Sequence, residues 1–159
     1  MKAILKSVSR SFYLTIRFLP RPLREPVGLA YLLARATDTI ADTATIPAAA
    51  RLTTLREVAR VIAGELDFDS IAEALREFSA CQSDPHERTL VENLGACIDW
   101  LSKIEAADRA DIRDVLKTIV QGQELDLVRF GDPASARPLR TSAELEEEMR
   151  MSHRITTER

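Results

Sequence analysis

The sequence predicts an all-α protein, on three observations. Glycine and proline together supply twelve of 159 residues, aromatic residues make up 5%, and Ala, Leu, Arg and Glu dominate, which favours helix over sheet. Apolar residues recur at helical spacing along most of the chain, and no alternating stretch is long enough for a strand. The periodic stretches are punctuated by proline and glycine, which end helices. With 45% hydrophobic and 30% charged residues, the chain can fill the core of one compact domain and keep a solvated surface.

The first helix, Leu5 to Leu19, stops at Pro20-Arg21-Pro22, where the missing amide and the restricted preceding residue interrupt it. From Leu23 to Thr43 the residues Val27, Leu29, Ala30, Leu32, Leu33, Ala34, Ala36 and Ile40 make a helix apolar over much of its circumference, as expected of a central, buried element. Pro47 follows its end. Further helices are expected at Ala48–Ala63, Ser70–Cys81, Pro85–Ile104 with Asp84 as N-cap, and Ala107–Arg129, the last closed by Gly131-Asp132-Pro133. Beyond a loop at Ala134–Arg140, the stretch Arg150–Arg159 has almost nothing to bury and reads as a frayed tail.

The net charge of −3 argues against a nucleic-acid partner. Its distribution is uneven. Up to Arg24 there are six basic residues and no acidic one, leaving sixteen basic against 25 acidic in the rest, a balance of −9. Such an opening reads either as a solvated helix face or as a site for a polyanion or a membrane surface. Two cysteines without paired spacing cannot form a disulfide framework, which points to a reducing cytoplasm. The longest uncharged run near the start, Pro26–Ala34, is too short to span a bilayer, so any membrane contact is peripheral.

Tyr31, Arg35, Asp38 and Asp42 follow one another at four, three and four residues and so share a face of the central helix. Charges on so apolar a helix need partners. Two carboxylates one turn apart suit magnesium when phosphates complete its shell, and an arginine one turn earlier can hold a phosphate oxygen. From the spacing alone, an ordinary ion pair between Arg35 and Asp38, with Asp42 facing water, is the commoner arrangement. His86 and His153 lack a second ligand at metal-binding spacing and are expected in solvent. No histidine base lies near Ser9 or Ser11, and no phosphate-cradling glycine loop is present.

Ser9-Arg10-Ser11-Phe12, Leu19-Pro20, Arg24, and Tyr31 through Asp42 together resemble, in register, the opening of the squalene/phytoene synthase family. The resemblance implies an isoprenoid synthase-type helical bundle around an apolar cavity, with two aspartate-rich motifs facing each other across its mouth. It implies that Asp38 and Asp42 hold magnesium bound to a prenyl diphosphate. It further implies that Arg35 and Tyr31 act in catalysis, and that Ser9, Arg10, Ser11, Phe12, Tyr31 and Arg35 contact the diphosphates or line the site. Thr39 resembles the squalene synthase form of the motif, which favours a farnesyl over a geranylgeranyl donor. Gly122-Gln123-Glu124-Leu125-Asp126 is a weaker match, equally readable as the polar face of a helix.

The implied activity is head-to-head condensation of two farnesyl diphosphates through presqualene diphosphate, with NADPH as the reductant for squalene. The same half-site would serve a phytoene or dehydrosqualene synthase. A non-catalytic helical domain that pairs with a partner chain is the reading from another class. The resemblance stops near Leu145, before the tyrosine-rich helix and second aspartate-rich motif of the family. The expectation is therefore a bundle truncated to roughly its first half over residues 1–145, with residues 146–159 a divergent polar tail. Such a chain is expected to be inactive alone, to expose the apolar inner face of its central helix, and to self-associate or need a complementary chain.

Overall fold

The computed structural model describes residues 10–131. Among them are seven α-helices and no strand: α1 (Arg10–Phe18), α2 (Arg21–Asp42), α3 (Ala48–Ala63), α4 (Ala72–Ala80), α5 (Pro85–Glu92), α6 (Leu94–Lys103) and α7 (Ala106–Phe130), with a 3₁₀ turn at Phe68–Ser70. The expected all-α architecture is met. Ser9 and the boundary expected near residue 145 lie outside the described residues.

α2 is the hub, packed against α1, α3, α5, α6 and α7. Leu29, Leu32, Leu33, Ala36 and Ile40 are fully buried on it. Burying each large aliphatic stabilises by about 1.5–3 kcal/mol. The helix begins at Arg21 rather than Leu23, because a proline in the first turn gives up an amide that has no helical partner anyway. Pro26 lies inside the helix and removes one backbone bond, a loss that the burial of Leu29, Leu32 and Leu33 outweighs.

The expected opening of the inner face of α2 is not met, since neighbouring helices close over it. Among the described residues, exposed large apolar side chains are confined to Leu14, Phe18, Leu23, Val115, Val128 and Phe130. The single helix expected over Pro85–Ile104 is instead two, parted where Asn93 leaves helical geometry at φ −97° and ψ 8°. α3 ends as its sequence predicts. Gly64 adopts the left-handed φ of 83°, letting the amides of Gly64 and Glu65 bond the carbonyls of Val61 and Arg60 at 3.0 and 2.9 Å.

Both cysteines are free. Cys81 is exposed, whereas burial pushes the Cys97 thiol up to about 11. No helix of the described residues is long and apolar enough to cross a membrane.

Candidate functional site

The outward stripe of α2 is built from the hub upward. Tyr31 is half-buried, and its ring stacks on Phe12 of α1 with centroids 3.8 Å apart and planes at 19°. That contact seats the first turn of α1, which Arg10 and Ser11 open, beside the middle of α2. One turn on, Arg35 Nη1 donates to Asp38 Oδ2 at 2.6 Å, and its Nη2 donates to Glu87 Oε1 at 2.8 Å. The three side chains are 36%, 42% and 30% exposed, so a ligand can reach this chain of charges and compete for Arg35.

Asp42 is the last residue of α2 and is exposed at its rim. Partial desolvation, followed by the charge of Asp38, pushes its carboxyl above the usual carboxylate range, while Arg35 and Arg51 pull it back. α2 carries no basic residue in its last turn, and Asp42 lies there, where the helix concentrates negative charge, with Asp38 one turn before it. Helix dipole and like-charge repulsion therefore both disfavour the pair.

The end of α2 is held by a residue that the sequence reading passed over. Arg51 of α3 is buried, donating from Nη1 to the carbonyl of Ala41 at 2.5 Å and from Nη2 to that of Gly131 at 3.0 Å. A Cβ at Gly131 would meet Ala48 Cβ at 2.9 Å, so glycine allows the end of α7 this close to α3. Nothing local in the sequence marks Arg51, because its partners are backbone carbonyls 10 and 80 residues away.

Glu87 was missed too, although a signal existed. Asp84 caps α5 by accepting from the amides of His86 and Glu87 at 2.7 and 3.2 Å, bonds that hold its carboxyl below the usual range. An acid three residues after such a cap often bonds back to it, but Glu87 turns to Arg35 instead.

The remaining expected residues separate. Thr39 is 2% exposed, and its hydroxyl has no partner among the described residues, so it packs in the core. On α7, Glu124 pairs with Arg56 at 3.1 Å, Asp126 is exposed, and Gln123 Oε1 is buried without a partner among the described residues. His86 is exposed, as expected.

The donor set bears on the metal that the family resemblance implies. No group of three or more His, Cys, Asp or Glu that could hold a metal occurs among the described residues. Two accessible carboxylates one turn apart fit magnesium, a hard cation that keeps water and takes phosphate oxygens rather than requiring a protein cage. A cation there would also relieve the repulsion between Asp38 and Asp42.

Residues 5–151 match the family model for squalene/phytoene synthase, and the chain belongs to that family. It is 46% identical over 54 residues to squalene synthase BSS of Botryococcus braunii, which is 34% of this chain and 12% of that protein. With squalene synthase LSS of the same organism it shares 43% identity over 53 residues, 33% of this chain and 12% of that one. The chain thus aligns with about an eighth of the length of these relatives. No solved structure matches it.

Proposed function

We propose that this chain carries the first diphosphate-binding half-site of a squalene synthase-type prenyltransferase, which joins two farnesyl diphosphates head to head through presqualene diphosphate. The observation that carries the reading is the Asp38–Asp42 pair, set one turn apart at the helix end where dipole and mutual repulsion both oppose it. Asp38 and Asp42 would hold magnesium. When bound, magnesium supplies charge neutralisation for the departing diphosphate. Arg35 exchanges its carboxylate partners for phosphate oxygens and fixes the diphosphate over the acids. The stacked rings of Phe12 and Tyr31 form an apolar wall one turn away, excluding water from the prenyl side. NADPH would serve as the reductant if the reaction proceeds to squalene.

The two matched relatives are squalene synthases, which favours a farnesyl donor over the phytoene-type alternative. The buried Thr39 would bear on that choice through packing and not by touching substrate.

The 159 residues contain one D-x-x-x-D, so on their own they are expected to bind without turnover. Calorimetric titration with farnesyl diphosphate should show magnesium-dependent binding. The double variant Asp38→Asn/Asp42→Asn should weaken it at least about tenfold, as expected for losing charge-assisted contacts, with helix content unchanged. Binding indifferent to magnesium, or to the double variant, would overturn the assignment.

A further inference from the structure

We propose that the corner between α1 and α2 is a docking surface for an anionic lipid bilayer, an inference independent of the acidic site. Leu14 and Phe18 stand four residues apart on one face of α1, 54% and 89% exposed, and Leu23, in the first turn of α2, is 47% exposed. The corner is rigidly built beneath them. Ile16 is buried, Phe12, Tyr13 and Leu19 pack against the core, and Arg24 Nε donates to the carbonyl of Leu19 at 2.8 Å across the turn. An exposed phenylalanine on a fixed corner is an inserting group rather than a failure of packing.

The charges around it choose the partner. Arg17, Arg21 and Arg24 are all exposed, and none forms an ion pair among the described residues. Glu25, the first acid in the sequence, accepts the indole N–H of Trp100 at 2.7 Å and pairs with no arginine. Cations on α3 behave differently, with Arg56 meeting Glu124 at 3.1 Å and Arg60 meeting Glu65 at 4.0 Å. Exposed arginines without ion pairs among the described residues, near exposed apolar side chains, suit a surface that offers phosphates above hydrocarbon, where arginine stems lie along the apolar layer and their heads stay with the headgroups.

A second copy of the chain is a poorer occupant. Three exposed side chains provide far less than the roughly 800 Å² per partner of a stable protein interface. Orientation agrees with a bilayer as well. α2 has 22 residues, so at 1.5 Å per residue Asp42 stands about 30 Å from the corner. The acidic end is thus held clear of the anionic surface that would repel it.

Co-sedimentation of the whole chain with phosphatidylcholine vesicles, with and without phosphatidylglycerol, tests the proposal. Binding is expected only with phosphatidylglycerol and should weaken as salt rises. Phe18→Ser should lower the partition about tenfold, the effect of withdrawing one aromatic side chain from an apolar phase, with an unchanged circular dichroism spectrum. Arg17→Gln/Arg21→Gln should lower it and flatten the salt dependence. Equal partition onto neutral vesicles, an unaltered partition for Phe18→Ser, or a dimer that Phe18→Ser dissociates without any vesicle binding would each overturn it. Asp38→Asn/Asp42→Asn should leave the partition unchanged, so this result and the diphosphate result fail separately.

Discussion

α2 and α7, the two longest helices among the described residues, place their charges in opposite senses. α7 follows its dipole, with Asp108 in the first turn and Arg129 in the last. α2 reverses it, opening on Arg21 and Arg24 and ending on Asp38 and Asp42, with no acid in its first turn and no base in its last. Each misplaced charge costs about 0.3–1 kcal/mol where exposed. α2 withstands this because ten of its residues are buried, whereas α7 buries four over a greater length. Charge contrary to the dipole is thus concentrated on the best-packed helix, and both of its ends coincide with the surfaces proposed above to bind ligands. Local rules give way where a site must stand, and packing elsewhere supplies the stability.

The comparison is broken most directly by removing the packing. Leu33→Ala, at a fully buried position of α2, should lower unfolding free energy by about 3 kcal/mol in a urea titration. A loss below about 1 kcal/mol would mean that burial does not hold α2 in place.

Next in size is the anchor of the acidic end. Arg51→Met removes two charge-assisted bonds and leaves the carbonyls of Ala41 and Gly131 without them, so a loss of about 2 kcal/mol is expected. Thermal melts at several salt concentrations would check this, and buried bonds predict little salt dependence.

The smallest effects carry the sign of the comparison. Because the folded state raises the Asp42 pKa, its ionised form is the one that folding disfavours. Asp42→Asn should therefore stabilise at neutral pH by a few tenths of a kcal/mol, as expected for removing an exposed like-charge pair. That gain should fade as pH falls and the wild-type carboxyl protonates. Asp108→Asn on α7 should instead destabilise by a similar amount. Urea titrations of both variants at pH 7, and of Asp42→Asn at pH 4, measure it. Equal signs at pH 7 would end the contrast between the helices.

Much of this was legible before any coordinates. Periodicity and punctuation mark the described helices apart from the division of Pro85–Ile104, because proline and Asp84 act through local backbone chemistry that sequence displays. The stripe from Tyr31 to Asp42 was legible for the same reason, as helical spacing alone puts it on one face. What escaped depended on distance. Arg51 and Glu87 owe their roles to chain brought back from far away, and Thr39, adjacent to Asp38 in sequence, is turned about 100° from it into the core. The break at Asn93 carries no proline to mark it, and the apolar spacing runs on through it. The closing of α2 was underestimated because α5, α6 and α7 each cover part of it.

The guanidinium of Arg51 also bears on the order in which the chain assembles. Its bond to Ala41 spans ten residues and can form with the α2–α3 hairpin alone, while its bond to Gly131 spans 80 and must wait for α7 to return. Loop closure over such a separation is entropically dearer than the local step, though only logarithmically. Until α7 docks, the Nη2 group of Arg51 lacks the carbonyl of Gly131, so the hairpin alone is an unfinished state. One guanidinium thus ties the acidic end of α2 by a local bond and the far end of α7 by a distant one, so the second contact is the one that completes the arginine's setting.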